Sequence, residues 1–275
     1  MSAGRIAFGV GLWVAVGLFA APLVWVVLVA VAPADAIYRY PPPLLPWPPR
    51  LHNFAAMDAM FPLLRDLGNT LRIVVPATVG NVLASALAGY GFARGRFWGR
   101  DALFVVCLAG MLVPELATLV PTFLLFRALH WINTDYPLIV PACFGTPFTV
   151  FLYRQFLRTL PVELEEAARI DGAGAWRTWW SVIMPNAWAA TAVATILAFS
   201  TGWNAFLQPL IYLNSPRKYT LSIALAGLLA RHSSATPWNL MMAATTCTLA
   251  PVALLVLVGR RWLLTGLATS ASVGR

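Results

Sequence analysis

Charged side chains are scarce in this sequence of 275 residues, of which only 11% are charged and 60% are hydrophobic. Soluble domains usually carry about 25% charged residues, so this chain has too little polar surface to cover a water-facing globule. A formal net charge of +9 would also suit a nucleic-acid partner. The basic residues, however, stand at the edges of apolar runs. That placement is typical of membrane orientation and argues against nucleic-acid binding.

Cysteine, histidine and lysine are sparse as well. The three cysteines, Cys107, Cys143 and Cys247, lie far apart in apolar runs, which predicts neither a disulfide framework nor a metal site. The three histidines are equally dispersed. The only lysine in the sequence is Lys218, which lies between Arg217 and Tyr219. The sequence therefore lacks the Gly-Lys-Ser/Thr element of a phosphate-binding loop. We therefore expect no nucleotide site of that type and no metal.

Long apolar runs take the place of charge. A spanning helix needs about 20 mostly apolar residues, so the pattern predicts an all-α integral membrane protein with about six transmembrane helices. Gly80, Ala84 and Ala88 recur every four residues in the second run and predict a close helix–helix approach. Glu115 interrupts the third run. The predicted spans are residues 7–31, 68–93, 102–126, 136–153, 186–209 and 239–258.

The segments between these runs differ in character. Residues 33–66 are rich in proline and predict a connection outside the membrane. Residues 219–230 are apolar but too short to cross a bilayer as a helix, so we expect a surface or re-entrant segment. The basic segment 94–100 is followed by one acid, Asp101, and favours both termini inside the cell. We expect residues 1–275 to form a single transmembrane permease domain.

A polar segment, residues 158–185, separates the fourth and fifth runs. Pro161 suits a first helical position, and Gly172 can take the left-handed conformation that ends a helix. The segment therefore predicts helix, glycine turn, helix along the cytoplasmic face. An apolar stripe at helical spacing follows the turn: Trp176, Trp179, Trp180 and Ile183. Docking to a partner and packing on the chain's own bundle are both compatible with this pattern.

Specific residues in this segment resemble the EAA loop of ABC importer permeases. Glu166-Ala167-Ala168 is followed by three residues, Gly172, nine residues and Val182-Ile183-Met184-Pro185. The family motif is E-A-A, three residues, G, nine residues, I-x-L-P. Asn69-Thr70-Leu71 and Trp203-Asn204 also match the carbohydrate branch. The chain thus resembles the maltose-type second permease subunit, with Glu115 as a departure where uncharged residues are more usual.

The resemblance implies a type I ABC importer permease fold and a function as the membrane-spanning subunit of an ATP-driven importer for a sugar or sugar-like solute. Implied partners are a second homologous permease, two copies of an ABC ATPase subunit and an extracytoplasmic solute-binding protein or lipoprotein. ATP and Mg would be handled by the ATPase, so this chain would not be an enzyme. The implied location is the bacterial inner membrane. Residues assigned to ATPase coupling are Glu166, Ala167, Ala168, Asp171, Gly172, Trp176 and Pro185.

Candidate residues for the substrate path are fewer. Glu115 is an ionisable group within a span, which marks function by default, although a position near the outer interface explains it equally well. Trp203 and Asn204 would offer a sugar an aromatic face and an amide, but Asn204 would equally serve helix–helix hydrogen bonding. Importers of glycerol-phosphate-type or other small polar solutes fit the same pattern. An ion-coupled secondary transporter fits less well, because the sequence shows no inverted repeat.

Overall fold

The computed structural model describes residues 3–41, 45–60, 62–231 and 237–272. Within these ranges the chain forms α-helices with short 3-10 and π-helical segments, and it contains no strand. The prediction of an all-α protein is therefore confirmed. By length and composition, four helices can cross a membrane, and two bent helix pairs raise the number of possible spans to six.

The N-terminal region contains one long helix and two short ones. Helix α1 covers Ala3–Ala30, α2 covers Ala34–Ile37 and α3 covers His52–Met60. The apolar part of α1 begins at Phe8 and matches the first predicted span. No described helix between α1 and residue 62 is long enough to cross a bilayer, as expected for a proline-rich connection, of which residues 42–44 and 61 lie outside the described ranges.

Helix α4, Leu63–Arg94, is a continuous helix of 32 residues and contains the second predicted span. Two of its glycines allow neighbours to approach closely. A Cβ atom added at Gly80 would lie 2.3 Å from Cys143 Sγ, and one added at Gly89 would lie 2.5 Å from Tyr153 Cβ. The expectation of close packing at Gly80 is thus confirmed.

The third predicted span differs from a straight helix. Helix α5, Arg100–Ala109, continues into a 3-10 turn at Gly110–Leu112, and α6, Glu115–Ala128, follows at an angle of 98°. Pro114 explains the break, because proline lacks a backbone donor and disfavours helical backbone in the residue before it. Val113 accordingly has an extended ψ of 115°. Glu115 therefore begins a helix instead of interrupting one.

The fourth span is also irregular. It consists of α7, Tyr136–Ile139, a 3-10 turn at Pro141–Phe144, and α8, Pro147–Thr159. Gly145 has a φ of +81°, and a Cβ atom there would lie 2.7 Å from Ser85 Oγ. The span ends six residues beyond the predicted residue 153, at Thr159.

Helix α9, Glu163–Ile170, and α10, Ala175–Thr178, lie in the polar segment, followed by a π-helical turn at Trp179–Ile183 and α11, Met184–Asn186. The remaining helices are listed in chain order: α12, Trp188–Asn204; α13, Leu207–Tyr212; α14, Leu221–Arg231; and α15, Trp238–Ser272. The fifth predicted span, 186–209, was too long, because α12 ends at Asn204. Helix α14 is short, as predicted for residues 219–230.

The described residues divide into two compact units. One combines the residues up to Leu67 with Leu221–Pro251, and the other combines Gly68–Thr220 with the residues from Val252 onward. In the second unit, α4, α8, the π-helical turn and α12 share a buried core around Tyr153, whose hydroxyl donates to Thr191 Oγ1 at 3.0 Å. The single permease domain predicted for residues 1–275 stays a prediction.

Candidate functional site

The polar segment ends its first helix with a defined glycine cap. Gly172 has a φ of +77°. Its N–H donates to the carbonyl of Arg169 at 3.0 Å, and the N–H of Ala173 donates to the carbonyl of Ala168 at 2.9 Å. These two bonds form the Schellman motif, in which a left-handed glycine satisfies the last carbonyls of a helix. The left-handed conformation expected at Gly172 is confirmed.

Helix α9 has one buried and one exposed face. On the buried face, Glu165 is 3% exposed and its Oε1 lies 3.1 Å from Arg94 Nε, at the end of α4. Arg94 also donates a hydrogen bond to the carbonyl of Leu160, and the Tyr90 hydroxyl donates to Glu165 Oε2 at 3.4 Å. A buried charge that pairs in this way fixes α9 to the end of α4.

The exposed face of α9 carries two of the seven predicted coupling residues, Glu166 and Ala167. Ala168 is buried, whereas Glu166, Ala167 and Asp171 are exposed. Ile170 is 86% exposed and was missed by the sequence analysis, as was the buried Glu165. Helical spacing offered a signal for Glu165, because it lies three residues before the small Ala168 and four before Arg169 on the same side of the helix.

The tryptophan stripe does not stay on one face. Trp179 and Ile183 are 3% and 1% exposed and belong to the buried core, whereas Trp176 and Trp180 are 66% and 54% exposed. The rings nevertheless remain together, with centroids 4.9 Å apart for Trp176 and Trp179. Half of the stripe therefore packs on the bundle, as one of the two interpretations predicts, and the other half faces outward. Pro185 is also exposed.

A second feature is a cavity of about 720 Å³ in the unit that contains Gly68–Thr220. Residues of α4, α6, α8, α12 and α13 line it together with the segment around α7. Glu115 lies at this cavity, and Gln208 Nε2 donates to its Oε1 at 2.9 Å. Thr122 and Tyr212 share a hydrogen bond of 3.1 Å between their hydroxyl groups, and both residues also line the cavity.

The other two predicted path residues do not line this cavity, although Gly202 and Ala205 on either side of them do. Trp203 is buried and stacks on Phe199, with ring centroids 5.4 Å apart. Asn204 donates its side-chain N–H to the carbonyl of Ser200 at 2.8 Å. Neither is among the described residues that line the cavity, so Glu115 alone of the predicted set is brought to it.

Two polar residues of α4 were missed. Thr78 and Asn81 line the cavity and are 6% and 4% exposed. Within the described ranges, neither Thr78 Oγ1 nor Asn81 Oδ1 has a hydrogen-bonding partner. Leaving such an atom buried and unpaired costs about 1–3 kcal/mol of folding free energy, so a hydrogen-bonding partner for these atoms would be stabilising. Their position as polar residues inside an apolar span was visible in the sequence, as it was for Glu115.

Among the described residues, no group of three or more His, Cys, Asp or Glu side chains is arranged to hold a metal ion. The two features that carry polar chemistry are therefore the exposed face of residues 163–185 and the cavity beside α4. The first offers a surface to another macromolecule, and the second offers a volume to a small solute, within the range of about 300–1,000 Å³ that is usual for such sites.

Known proteins resemble this chain over most of its length. Residues 80–268 match the family described as binding-protein-dependent transport system inner membrane component. A probable ABC transporter permease protein of Pyrococcus horikoshii is 33% identical over 82% of both chains. The sn-glycerol-3-phosphate transport system permease protein of Yersinia enterocolitica is 31% identical over 85% of both chains. The arabinooligosaccharides transport system permease protein of Halalkalibacterium halodurans is 32% identical over 75% of this chain and 73% of its own.

A solved structure shares the fold. A chain of a bacterial ABC transporter involved in the import of the acidic polysaccharide alginate superposes with a TM-score of 0.79. The match covers 95% of this chain and 98% of the other, at 20% sequence identity. At that identity the likeness concerns the fold alone.

Proposed function

Because the chain belongs to the family of binding-protein-dependent transport system inner membrane components, we propose that it is the permease subunit of an ATP-driven ABC importer for a sugar or sugar-like solute. The family is one of transport proteins, so the chain is a multi-pass membrane permease and not an enzyme. The observation that carries the proposal is the EAA-like segment, whose glycine cap presents Glu166, Ala167 and Asp171 on an exposed helical face.

This exposed face is the proposed docking site for the ATPase. Glu166 would pair with a basic residue of the ATPase, and the outward Trp176 would supply apolar contact area. Ala167 leaves room for close approach, while Asp171 and Gly172 form the turn. Ala168 acts from the buried side by packing α9 on the bundle. Pro185 is exposed just before the 81° bend into α12 and would set the direction of that helix.

Two sets of buried contacts connect the docking site to the helix bundle and would transmit a movement of this site. Glu165 connects α9 to α4 through Arg94, and the buried Trp179 and Ile183 connect the π-helical turn to the core that includes α8 and α12. Closure of an ATPase dimer would therefore move α4 and α12 together with the loop, as in other rigid-body switching transitions. Coupling of this kind needs no chemistry in this chain.

The remaining partners follow from the same proposal. A second homologous permease would complete the translocation path, two ATPase copies would bind and hydrolyse ATP with Mg, and a solute-binding protein or lipoprotein would deliver the solute. The family description itself names a binding-protein-dependent system. We place the chain in the bacterial inner membrane, in contact with lipid and not with nucleic acid. The arginines of segment 94–100 and both termini would face the cytoplasm.

The sn-glycerol-3-phosphate relative makes an importer of glycerol-phosphate-type solutes the second candidate. The arabinooligosaccharide relative supports a sugar. An ion-coupled secondary transporter has no observation in its favour, because a docking face for an ATPase has no role in it. The two solute classes differ in charge, which makes the electrostatics of the cavity the property that separates them.

Charge reversal at Glu166 tests the proposal. We expect Glu166→Lys to abolish association of the ATPase subunit or to let the complex hydrolyse ATP without uptake, because a lysine would repel the basic residue that Glu166 pairs with. Co-purification from membranes and solute uptake in proteoliposomes measure the two effects. Asp58→Lys is the control, since Asp58 is an exposed acidic residue of α3 and lies outside residues 163–185. Normal association and normal uptake in Glu166→Lys would reject the assignment.

A further inference from the structure

The cavity beside α4 has a lining rich in uncharged hydrogen-bonding groups. Threonine hydroxyls contribute from α4, α6 and α12, at Thr78, Thr118 and Thr201, and amides contribute at Asn81 and Gln208. Such groups both donate and accept hydrogen bonds, as the hydroxyl groups of a sugar do. The lining is therefore matched to a polyhydroxylated solute in its chemistry as well as in its volume.

Thr78 and Asn81 are the residues that point to a ligand. They lie three residues apart on α4, so they share one side of the helix. Both are more than nine-tenths buried, and Thr78 Oγ1 and Asn81 Oδ1 find no partner in the part of the chain that the structure describes. Both oxygens are closed off from water in this structure, so these side chains would have to rotate for a solute hydroxyl to donate to Asn81 Oδ1 or to exchange a hydrogen bond with Thr78 Oγ1. Without a solute or water, these oxygens are left unpaired in an apolar span.

Charge sets which solutes this cavity accepts. Glu115 is the one formally charged side chain among the described residues that line it. Gln208 holds one carboxylate oxygen through its amide N–H at 2.9 Å. A phosphate or carboxylate on a solute would face this negative charge with no arginine, lysine or histidine of the described lining to pair with it. An anionic group would have to bind here without the charge-assisted hydrogen bonds that a cation supplies, whereas sugar hydroxyls can donate to Glu115.

We propose that this cavity is a solute site of this subunit itself, which binds an uncharged polyhydroxylated solute and rejects phosphorylated ones. Asn81 and Thr78 bind solute hydroxyls, and Glu115 excludes anions. The proposal rests on the proposed function as an importer of sugar-like solutes and narrows it. It assigns solute contacts to this chain in addition to any made by a partner permease, and it opposes the glycerol-phosphate alternative.

Saturation-transfer NMR on the full chain in lipid nanodiscs tests the proposal with two named probes, glucose and glucose 6-phosphate, which differ by one phosphate group. We expect signal transfer to glucose and a signal about tenfold weaker, or absent, for glucose 6-phosphate, because its phosphate would lie beside the carboxylate of Glu115 with no cation of the described lining to pair with it. Maltose serves as a larger neutral probe. Equal or stronger transfer to glucose 6-phosphate, or no transfer to either neutral sugar, would overturn the proposal.

Variants locate the binding. Asn81→Leu and Thr78→Val should each weaken the neutral-sugar signal by about fivefold, the effect of losing one ordinary hydrogen bond. Thr246→Val is the control, because Thr246 donates to the carbonyl of Met242 in α15 and does not line the cavity. Glu115→Gln keeps the side-chain shape and should raise the glucose 6-phosphate signal relative to the glucose signal. Because this ratio is measured within one variant, it does not depend on how much of that variant is folded.

Failure here is distinguishable from failure of the proposed function. An unchanged neutral-sugar signal in folded Asn81→Leu, together with lost ATPase coupling in Glu166→Lys, would remove the site from this subunit and leave the importer standing. Unchanged coupling in Glu166→Lys with a lost signal in Asn81→Leu would support the site and count against the coupling assignment.

Discussion

Gly172 lends itself to a quantitative test, because glycine is needed there for its backbone conformation and not for lack of room for a side chain. Its φ of +77° is one that side chains with a Cβ atom adopt rarely, yet a Cβ atom placed there would meet nothing within 4 Å. Substitution therefore costs conformational energy without a steric clash. The cost should follow the left-handed preference of each residue, so that Gly172→Asn is mild, Gly172→Ala intermediate and Gly172→Val the most severe.

The magnitude follows from the strain of a left-handed non-glycine residue. It is about 1–2 kcal/mol for alanine and up to about 3 kcal/mol for a β-branched residue. Since about 1.4 kcal/mol changes an equilibrium tenfold, Gly172→Val should lower the ratio of capped to uncapped loop by about a hundredfold. The two backbone bonds of the cap, from Gly172 to Arg169 and from Ala173 to Ala168, are the ones lost.

Two measurements follow that loss. Amide hydrogen exchange at residues 172 and 173 should become faster in the order Asn, Ala, Val, because exchange reports the opening of these bonds. In the assembled transporter, the number of solute molecules imported per ATP hydrolysed should fall in the same order. The exchange measurement needs no knowledge of the solute.

Gly174 provides the matched control. It lies two residues further on, has an extended backbone with φ of −71° and ψ of 166°, and also has open space around its Cβ position. Gly174→Thr should therefore exchange and couple as the natural protein does, because threonine and glycine are about equally favourable at the N-cap of a helix such as α10. The reasoning is wrong if Gly172→Val and Gly174→Thr, both β-branched, behave alike, or if Gly172→Asn is as damaging as Gly172→Val.

Three further variants test other parts of the structure. Glu165→Ala should lower stability by about 3–5 kcal/mol, since it leaves Arg94, whose side chain is 15% exposed, buried without its partner; thermal unfolding in detergent measures it. Gly89→Val should lower the yield of folded protein in membranes, because a Cβ atom there would lie 2.5 Å from Tyr153 Cβ and force α4 and α8 apart. Trp98→Cys, at a side chain that is 97% exposed, should react with a membrane-impermeant thiol reagent from the cytoplasmic side only.

Each of these variants has a comparison close by. Glu163→Ala removes an exposed glutamate from the same helix as Glu165 and should leave the unfolding temperature unchanged. Gly91→Val meets nothing within 4 Å and should fold, so equal yields of the two glycine variants would contradict the packing argument. For the topology, Tyr40→Cys, at a 98% exposed residue of the proline-rich segment, should react from outside. Labelling of position 98 from outside would sink the proposed orientation.

Much of the helical layout could be predicted from sequence, because apolar length and charge-free runs are direct consequences of the lipid environment. The first span and the end of α4 at Arg94 agree with the expectation. The breaks could not be placed as well. Pro114 is a visible signal, yet proline is tolerated within spanning helices, as Pro76 is in α4, so its presence alone does not decide between a kink and a sharp bend.

The structure of residues 158–185 was predictable in outline because glycine capping and acidic first turns act locally. The division of its tryptophans was not, because it depends on the π-helical turn at Trp179–Ile183, which changes the register within five residues. The cavity was the least accessible from sequence. Gln208 lies 93 positions from Glu115, and only the folded chain brings their side chains together.

Helix α9 has a buried side that packs on the fold and an exposed side that is free of this constraint. Residues that serve folding and residues that serve assembly can therefore change separately in evolution. Glu165 and Ala168 on its inner side are buried, and Glu165 pairs with Arg94, whereas Glu166 and Ile170 on its outer side are exposed. Changes on the outer side can therefore accumulate in step with an ATPase without altering the path through the membrane. Exchanging only those outward residues between paralogous permeases offers a way to build two transporters in the same cell, in which each permease associates with its own ATPase and not with the other one.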